Sequence, residues 1–339
     1  MSFSQLTVVL LYKLGIVLRW MKLLLFGPAS KTDSNAWAVA FVKLFMALQL
    51  TGREAEIHLR EVALGVSPWI ARLALWIGRK SGLEMMHSMA YGRTLLRDRI
   101  VNESLERGAH QLITIGGGYE VHSLQVVKQM ETKGRKIRVV EVDFPHIQSQ
   151  KRQRLQSQQL EADVKWVACD FQPGELERLL KEVVLPDAEA VVVIEGVFSY
   201  LTHDEARSTL RAVKNAVRKT SCPPITVFAD NFTWDFLNAP RRDMTWSGLW
   251  SFVKDGMTLE GALMLDCATR GCPLKEGFRL DQAADDYEAN AVTFFNYVST
   301  ITPLMSLGEF GTEAMAKHVE QVAALFCPFD KYFCAKMEL

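Results

Sequence analysis

Three consecutive glycines follow an apolar run of this sequence, and an acidic residue ends the next apolar run. The first run is Gln111 to Ile115, the glycines are Gly116 to Gly118, and the second run starts at Val139 and ends at Asp143. Glycine lets a backbone approach a ligand closely because it has no Cβ, and an acid at the next strand end can accept hydrogen bonds from ribose hydroxyls. The arrangement predicts a pocket for a nucleotide-type cofactor on a parallel sheet.

Two further acids occupy equivalent places in the sequence. Asp170 and Glu195 each follow a later β-rich run. Because the carboxyl ends of parallel strands meet at one edge of a sheet, these acids and Asp143 are predicted to line the crevice where open α/β sheets bind ligands. Phe171, beside Asp170, could lie against a purine ring or could be an ordinary core residue.

Two residues of this region have more than one interpretation. Asp143 could hold a ribose, or could serve only as the N-cap of the next helix. Glu141 points to the same face of its strand as Asp143, so it could take the ribose role or brace the glycine loop. The dinucleotide fingerprint would also place glycine at position 121, where this chain has Val121, which disfavours pyrophosphate binding and a nicotinamide-dependent oxidoreductase.

The elements that must position these residues form four predicted regions. Residues 1–108 have apolar positions at helical spacing, which predicts a helical N-terminal region or lid. Short β-branched runs alternate with polar helical stretches over 109–230, which predicts an α/β core with a doubly wound, mostly parallel sheet. Residues 231–311, rich in Trp, Phe and Met, are predicted to form a cap insertion after the fifth strand, and 312–339 a closing helix and strand.

The predicted strands can be placed individually. A capping-box pattern at Thr202 to Glu205 predicts a helix start, so Ser199 to Leu201 should be the loop that leaves the fourth strand. The five strands of the core and the closing strand are expected at Leu112 to Ile115, Ile137 to Val142, Val164 to Ala168, Ala190 to Ile194, Ile225 to Ala229 and Lys331 to Lys336.

Composition excludes some classes of function. The chain has 339 residues, 49% of them hydrophobic, which is ample for a packed core. Lys plus Arg and Asp plus Glu both number 39, so no broad positive field favours nucleic acid as a partner. The six cysteines contain no CxxC pair, which indicates reduced structural thiols in a cytoplasmic protein, with no metal site.

The N-terminal segment 6–26 is strongly apolar. Lys13, Arg19 and Lys22 interrupt it, so it contains no uninterrupted membrane span, and these basic residues lie inside the apolar region, unlike those of a signal peptide. We expect an amphipathic helix that packs on the domain or over the pocket mouth. The alternative is peripheral membrane contact, with Trp20 at the interface.

Five ordered motifs between about Tyr91 and Asp230 resemble the leucine carboxyl methyltransferase family, including its bacterial branch of polyketide-type O-methyltransferases. The resemblance implies a class I, Rossmann-like methyltransferase fold and S-adenosylmethionine as methyl donor, without a metal. The motifs are Arg93 to Asp98, Gly116 to Glu120, Glu141 to Pro145 followed by Lys151, Asp170-Phe171, and Glu195 to Leu201.

The resemblance also implies roles for individual residues. Two departures, His122 near where many members have arginine and the absence of an N-terminal Asp-Pro motif, concern the substrate side. From the residues alone, Arg93 could instead form a surface salt bridge with Asp98 or Glu120, and Lys151 is expected on a solvated helix face. The implied cofactor-binding residues are Arg93 for the methionine carboxylate, Gly116 and Gly118 in the glycine loop, Asp143 for the ribose, Asp170 and Phe171 around the adenine, and Glu195 near the methionine end.

The implied activity is O-methylation of a carboxyl or hydroxyl group on a small, largely apolar molecule. Alternatives are a protein C-terminal carboxyl methyltransferase, a non-catalytic cofactor-binding or membrane-associated module, and, less favoured, the oxidoreductase. A carboxylate acceptor needs no base, whereas a hydroxyl would benefit from one within hydrogen-bond reach. The candidates near the expected mouth are Tyr200, His87, Tyr91 and His203, each of which also has a purely structural interpretation.

Overall fold

The computed structural model describes residues 40–41, 43–44, 47–48, 54–69, 71–72, 84–160, 162–218, 224–232, 278–279, 282–296 and 332–339, with only the backbone described along 84–91. The helices of this part are α1 Glu54–Leu64, α2 Glu84–Arg107, α3 His122–Thr132, α4 Pro145–Ser157, α5 Glu175–Val183, α6 His203–Val217 and α7 Ala283–Asp286. The strands are β1 Gln111–Ile115, β2 Arg138–Asp143, β3 Val164–Ala168, β4 Ala190–Ile194, β5 Ile225–Phe232, β6 Ala291–Asn296 and β7 Tyr332–Glu338.

The strands form one seven-stranded sheet in the order β3-β2-β1-β4-β5-β7-β6. Strands β1 to β5 pair in parallel, and β7 runs antiparallel to both of its neighbours. The strand order reverses at β1, which lies between β2 and β4, so the crevice beyond these carboxyl ends is the topological switch point. The predicted class, a doubly wound, mostly parallel Rossmann-like sheet, is confirmed.

The outer part of the sheet departs from the sequence prediction. Strand β5 continues to Phe232, and β6, at Ala291–Asn296, lies within the segment 231–311 that the sequence analysis assigned to a cap. Two parts of that segment, 231–232 and 291–296, therefore contribute to the sheet. Alternation is weak in the β6 sequence AVTFFN, so its periodicity did not identify a strand. Residues 233–277 lie outside the described residues, and the proposed cap and domain boundaries stay predictions.

Helices cover both faces of the sheet, and successive side chains of a strand pack against opposite layers of helices. On one face Ile113 and Ile115 of β1 pack with Leu180 of α5 and Leu210 of α6. On the other face Leu112, the residue before Ile113, packs with buried residues of α2 and α3. Parallel strands need a helix for each crossover, and this requirement explains why β1 and β4 are buried at every position.

Local signals set the start of α6. Thr202 accepts from the Glu205 amide, and the Glu205 side chain accepts from the Thr202 amide, which confirms the predicted capping box. Residues Phe198–Tyr200 form a 3-10 turn between β4 and this helix. Within the described part of the chain, no helix combines the length and apolar character needed to cross a membrane. The N-terminal segment 6–26 lies outside the described residues.

Candidate active site

The glycine loop after β1 lies directly against neighbouring residues. Gly116 donates its amide to the Val142 carbonyl at 2.8 Å and has a φ of +71°, which L side chains rarely adopt. A Cβ on Gly116 would clash with Val197 Cγ2, and a Cβ on Gly117 would lie 2.6 Å from Glu141 Cδ. The loop therefore needs glycine at these positions for its conformation and for its close contacts.

Asp143 lies at the carboxyl end of β2, beside this loop. One carboxylate oxygen accepts the Gly118 amide at 2.5 Å and the other accepts the Phe144 amide at 2.7 Å. The side chain is buried, and burial raises the pKa of Asp143 although the two amide bonds oppose the shift. Helix α4 has Phe144 as its N-cap residue, so the alternative that Asp143 serves only as a helix N-cap is wrong.

Glu141 and Lys151 form a buried pair beneath the loop. Lys151 Nζ lies 2.5 Å from Glu141 Oε1, and it also donates to the Glu120 carbonyl. The prediction of Lys151 on a solvated face is wrong, because its side chain is fully buried. Burial raises the pKa of Glu141, and the nearby ammonium of Lys151 opposes this shift. Of the two roles considered for Glu141, the contacts support bracing of the glycine loop.

The residues after β3 form a more open part of the site. Asp170 is exposed, and its amide donates to the carboxylate of Glu175, near the start of α5. Phe171 is half-buried with a φ of +57°, and its ring packs edge-on against Phe144, with the centroids 5.2 Å apart. Phe171 thus joins an aromatic pair that begins one residue after Asp143.

On the other side of the glycine loop, Arg93 of α2 is buried among acids. Its Nε donates to Glu195 Oε1 at 2.8 Å, and its Nη1 donates to Asp230 Oδ2 at 2.7 Å. The alternative of a surface salt bridge to Asp98 or Glu120 is wrong, because Arg93 reaches the ends of β4 and β5. Two of the strand-end acids are thereby joined to the helix that covers them.

Arg97, one turn further along α2, is a residue that the sequence analysis quoted only as part of a motif. It donates to Glu195 Oε2 at 2.6 Å and to Asp98 Oδ1 at 2.7 Å, and its side chain is only 1% exposed. Burial opposes the charge on Arg97, but Asp98, Glu195 and Glu120 outweigh it and raise the pKa of the guanidinium. The i, i+4 spacing of the two arginines was the available signal.

Two more cations enter from the N-terminal region. Lys43 Nζ lies 2.7 Å from Glu120 Oε2 and 2.6 Å from Glu195 Oε1, and Arg60 of α1 lies 2.6 Å from Glu120 Oε1. Neither cation was identified from sequence, since both are distant in the chain from any motif. We call the whole set the charge network; its members are Lys43, Arg60, Arg93, Arg97, Asp98, Glu120, Glu195 and Asp230.

The charge network keeps its central carboxylates ionised. Burial disfavours a charged Glu120, but the cations Arg60, Lys43 and Arg97 outweigh it and hold the pKa of Glu120 well below its usual range. The pKa of Glu195 is lowered in the same way, with Lys43, Arg97 and Arg93 as the cations that outweigh burial. The charge network combines four cations with four acids, and a region with both signs suits a ligand with both a carboxylate and an ammonium group.

Asp230 is an additional strand-end acid that the sequence analysis did not select. Its Oδ1 accepts the Gly196 amide at 2.6 Å, while Oδ2 accepts from Arg93. The same pattern that identified Asp143 and Glu195, an acid at the end of a β-rich run, also applies to Asp230 at the end of the predicted fifth strand. Asp230 therefore fixes the loop after β4 relative to α2.

His122, at the start of α3, is enclosed by this region. Its Nε2 lies 3.3 Å from Asp98 Oδ1, and the side chain is buried. Burial lowers the pKa of His122 well below its usual range, and the nearby Arg97 lowers it further. The ring is therefore neutral at physiological pH and adds no positive charge to the region around Asp98 and Arg97.

The proposed bases lie on the 3-10 turn, on α6 and on α2. Tyr200 is half-buried at the end of the 3-10 turn. His203, the first residue of α6, is also half-buried, with its Nδ1 3.3 Å from the hydroxyl of Tyr287. His87 and Tyr91 are helical residues of α2 one turn apart, as predicted, and their side chains lie outside the described part. Their catalytic roles stay predictions.

Similar solved structures are methyltransferases by description. A candidate O-methyltransferase from Nostoc punctiforme is 9% identical with a TM-score of 0.42, over 91% of this chain and 70% of that one. A candidate methyltransferase from Thermobifida fusca is 14% identical with a TM-score of 0.45, over 83% of this chain and 92% of that one. No curated protein sequence matches the chain.

The family comparison covers most of the motif residues. The matched segment includes the α2 arginines, the glycine loop, Asp143, Asp170 and Glu195, whereas Lys43, Arg60 and Asp230 lie outside it. Residues 68–214 match the family model of leucine carboxyl methyltransferase, the family that the sequence motifs resemble.

Proposed function

We propose that this protein is an S-adenosylmethionine-dependent O-methyltransferase that acts on a carboxyl or hydroxyl group of a small, largely apolar molecule. The observation that carries the proposal is Asp143, a buried carboxylate at the switch point that is positioned by two amide hydrogen bonds beside a loop that requires glycine. A carboxylate at this place can accept hydrogen bonds from both hydroxyls of a ribose.

The adenosine part of the cofactor fits the side of the site formed by β2 and β3. Asp143 would hold the ribose, and Phe171 would lie against the adenine while Asp170 accepts from its amino group. Gly116 and Gly118 would let the loop approach the nucleoside closely, because glycine has no Cβ. Without a pyrophosphate, the cofactor does not require the glycine that Val121 replaces.

The amino-acid part of the cofactor fits the charge network. Arg93 would bind the methionine carboxylate. Its ion pairs with Glu195 and Asp230 already position its guanidinium at the switch point. Glu195 is held ionised by its cations and would accept from the methionine ammonium. A zwitterion placed there would meet groups of both signs that the fold has already desolvated and positioned.

S-Adenosylmethionine supplies an electrophilic methyl group on a sulfonium. In the transfer, an acceptor oxygen forms a bond to the methyl carbon while the bond from that carbon to sulfur breaks, and the electron pair remains on sulfur as a neutral thioether. The protein contributes by holding acceptor and donor in line and by excluding water. A carboxylate acceptor releases no proton, whereas a hydroxyl acceptor must lose one to a nearby base.

Calorimetry with S-adenosylmethionine and S-adenosylhomocysteine tests the cofactor assignment. We expect binding to the wild type, and we expect Asp143→Ala to weaken it at least about tenfold through loss of the charge-assisted ribose bonds. Asp163→Ala is the matched control, because this exposed aspartate forms only a surface pair with Lys136 at 3.5 Å. Absence of binding to the wild type, or equal binding to Asp143→Ala, would refute the proposal.

The variants Tyr200→Phe and His203→Ala address the kind of acceptor. Mass spectrometry of panels of small carboxylic acids and phenols would first identify a methylated product. If the acceptor is a hydroxyl and one of these residues is its base, the matching variant should lower kcat by about 10²-fold or more. If the acceptor is a carboxylate, both variants should retain kcat to within a few-fold, because no proton is removed.

A further inference from the structure

A groove of about 350 Å³ lies away from the candidate active site, between the end of α1 and the end of α4. Part of its lining is apolar, provided by Val62, Val66 and Pro68, and part is polar, provided by Glu61 and Arg154 together with neighbouring serine and glutamine residues. Its volume lies within the range of small-ligand sites, about 300–1,000 Å³. The candidate cofactor residues of the active site take no part in the lining.

Glu61 is the unusual residue of this groove. It is only 5% exposed, and its Oε1 has no hydrogen-bond partner. Among the described residues it forms no side-chain ion pair, although the adjacent Arg60 is fully engaged with Glu56 and Glu120. Burial raises the pKa of Glu61, with Arg72 and His58 opposing the shift. A buried carboxylate without a partner is costly unless a ligand pairs with it.

Arg154 supplies the opposite charge to the same groove. Its guanidinium donates to the Ala63 carbonyl at 3.1 Å and to the Gln150 side-chain oxygen at 3.3 Å, and both acceptors are neutral. The guanidinium also lies over the Tyr119 ring, 5.2 Å from its centroid. In the described part of the chain, Arg154 has no carboxylate partner. The groove thus has one acid and one base that are not paired with each other.

We propose that this groove is a second ligand site, for a small zwitterion of the amino-acid class with a short apolar side chain. The ligand's ammonium pairs with Glu61, its carboxylate pairs with Arg154, and its side chain contacts the apolar wall formed by Val62 and Val66. A ligand of this kind pairs with both the buried Glu61 and the half-buried Arg154, whereas a simple cation or a simple anion leaves one of them unpaired next to a like charge.

Ligand-observed NMR titrations with three matched probes test the site. The probes are L-valine, isobutylamine, which lacks the carboxylate, and 3-methylbutanoate, which lacks the ammonium. The full chain is used with excess S-adenosylhomocysteine, so that the proposed methionine pocket is occupied. We expect L-valine to bind at least about tenfold more tightly than either truncated probe, because each lacks one charge-assisted pair.

Variants on α1 locate the binding. Glu61→Gln should weaken L-valine about tenfold, whereas Glu54→Gln, the same change at an 82% exposed site of the same helix, should leave binding unchanged. Thermal unfolding provides a second measurement: without ligand, Glu61→Gln should unfold no earlier than the wild type, because it removes an unpaired buried charge. Undetectable binding of L-valine, equal binding of a truncated probe, or equal binding to Glu61→Gln would each overturn the proposal. If S-adenosylhomocysteine fails to bind, the two variants still report on the groove alone.

Discussion

The two sides of the candidate active site are built in different ways. On the β2 and β3 side, Asp143 accepts hydrogen bonds from the backbone amides of Gly118, 25 positions earlier in the chain, and of Phe144, the next residue. The rings of Phe144 and Phe171 pack together on the same side. On the β4 and β5 side, the charge network joins side chains from α1, α2, the glycine loop and two strand ends through ion pairs of 2.6–2.8 Å. One side depends on backbone geometry and the other on matched buried charges.

The pKa shifts of the buried acids also differ between the two sides. Burial raises the pKa of Asp143 and of Glu141, since neither has enough compensating positive charge. Cations hold the pKa of Glu120 and of Glu195 low in spite of burial. The first side therefore carries ionised groups at a cost to stability, whereas the acids of the second side are stabilised as long as every partner is present. This difference predicts how substitutions on each side change the free energy of unfolding.

Removal of one cation from the charge network should have the largest effect. Arg97→Met keeps much of the side-chain volume but leaves Glu195 without one of its partners in a buried place. We expect a loss of about 3–5 kcal/mol in the free energy of unfolding, measured in urea. Arg99→Met on the same helix is the control, because Arg99 is 60% exposed and forms only a surface pair, and it should cost under about 0.5 kcal/mol.

A loss below about 1 kcal/mol for Arg97→Met would show that the network tolerates a missing cation. The contrast between the two sides would then rest on geometry alone.

The sequence revealed the first side more fully than the second. Gly116, Asp143 and Phe171 lie at the turns after predicted strands, so strand periodicity alone brings them together. Lys43 and Arg60 reach Glu120 from helices 60 or more residues away, and nothing in the local pattern around them indicates a partner. Lys151 was misassigned for a related reason, because a lysine in a polar helix is usually exposed, and only the buried Glu141 beneath it explains its position.

The unexpected strand β6 has a similar physical cause. Its place beside β7 depends on pairing with residues that are 37 to 47 positions away in the chain, from Asn296 with Phe333 to Ala291 with Glu338. Long-range pairing of an edge region leaves a weak trace in local sequence, since its faces alternate less strictly than those of a half-buried strand. By contrast, β1 and β4 are enriched in β-branched residues because helices bury both of their faces.

A glycine substitution should test the geometric side. Gly116→Ala introduces a Cβ at a φ of +71° and against Val197, so we expect a loss of about 2–4 kcal/mol in unfolding free energy. Gly134→Ala is a matched control: its φ is +67°, but a Cβ there would meet no atom within 4 Å, so the expected cost is about 1 kcal/mol. Combining Gly116→Ala with Val197→Ala should recover part of the difference. Equal losses for the two single variants would contradict a tightly packed loop.

Acidification should change the stability contributions of the two sides in opposite directions. The Glu195 pKa is lower in the folded protein than its ordinary value of 4.5, so its contribution to stability is present above that value and is lost as the pH falls through the folded pKa. The Asp143 pKa is raised, so acidification relieves its cost. Between about pH 6 and pH 3, Glu195→Gln should flatten the decline in unfolding free energy, and Asp143→Ala should steepen it.

Each pKa unit of difference corresponds to about 1.4 kcal/mol, so the change is measurable by urea titrations across this range. Glu182→Gln provides the exposed control, since this glutamate forms only a surface pair with Arg178. If the unfolding free energy of every variant followed the same pH dependence as that of the wild type, the opposite pKa shifts of Glu195 and Asp143 would be contradicted.

The smallest expected effect concerns the aromatic pair of the first side. Phe144 and Phe171 pack edge to face at 5.2 Å, a geometry worth about 0.5–1.5 kcal/mol beyond burial, and a double-mutant cycle with Phe144→Leu and Phe171→Leu should measure that coupling. Phe278 and Phe294 form a similar edge-to-face pair at 5.7 Å and provide the comparison. If Phe171 also lies against the adenine, Phe171→Leu should weaken S-adenosylhomocysteine, whereas Phe294→Leu should not. If the cycle shows coupling but Phe171→Leu leaves the affinity for S-adenosylhomocysteine unchanged, Phe171 is a core residue. Asp143 would then be the main cofactor contact on the β2 and β3 side.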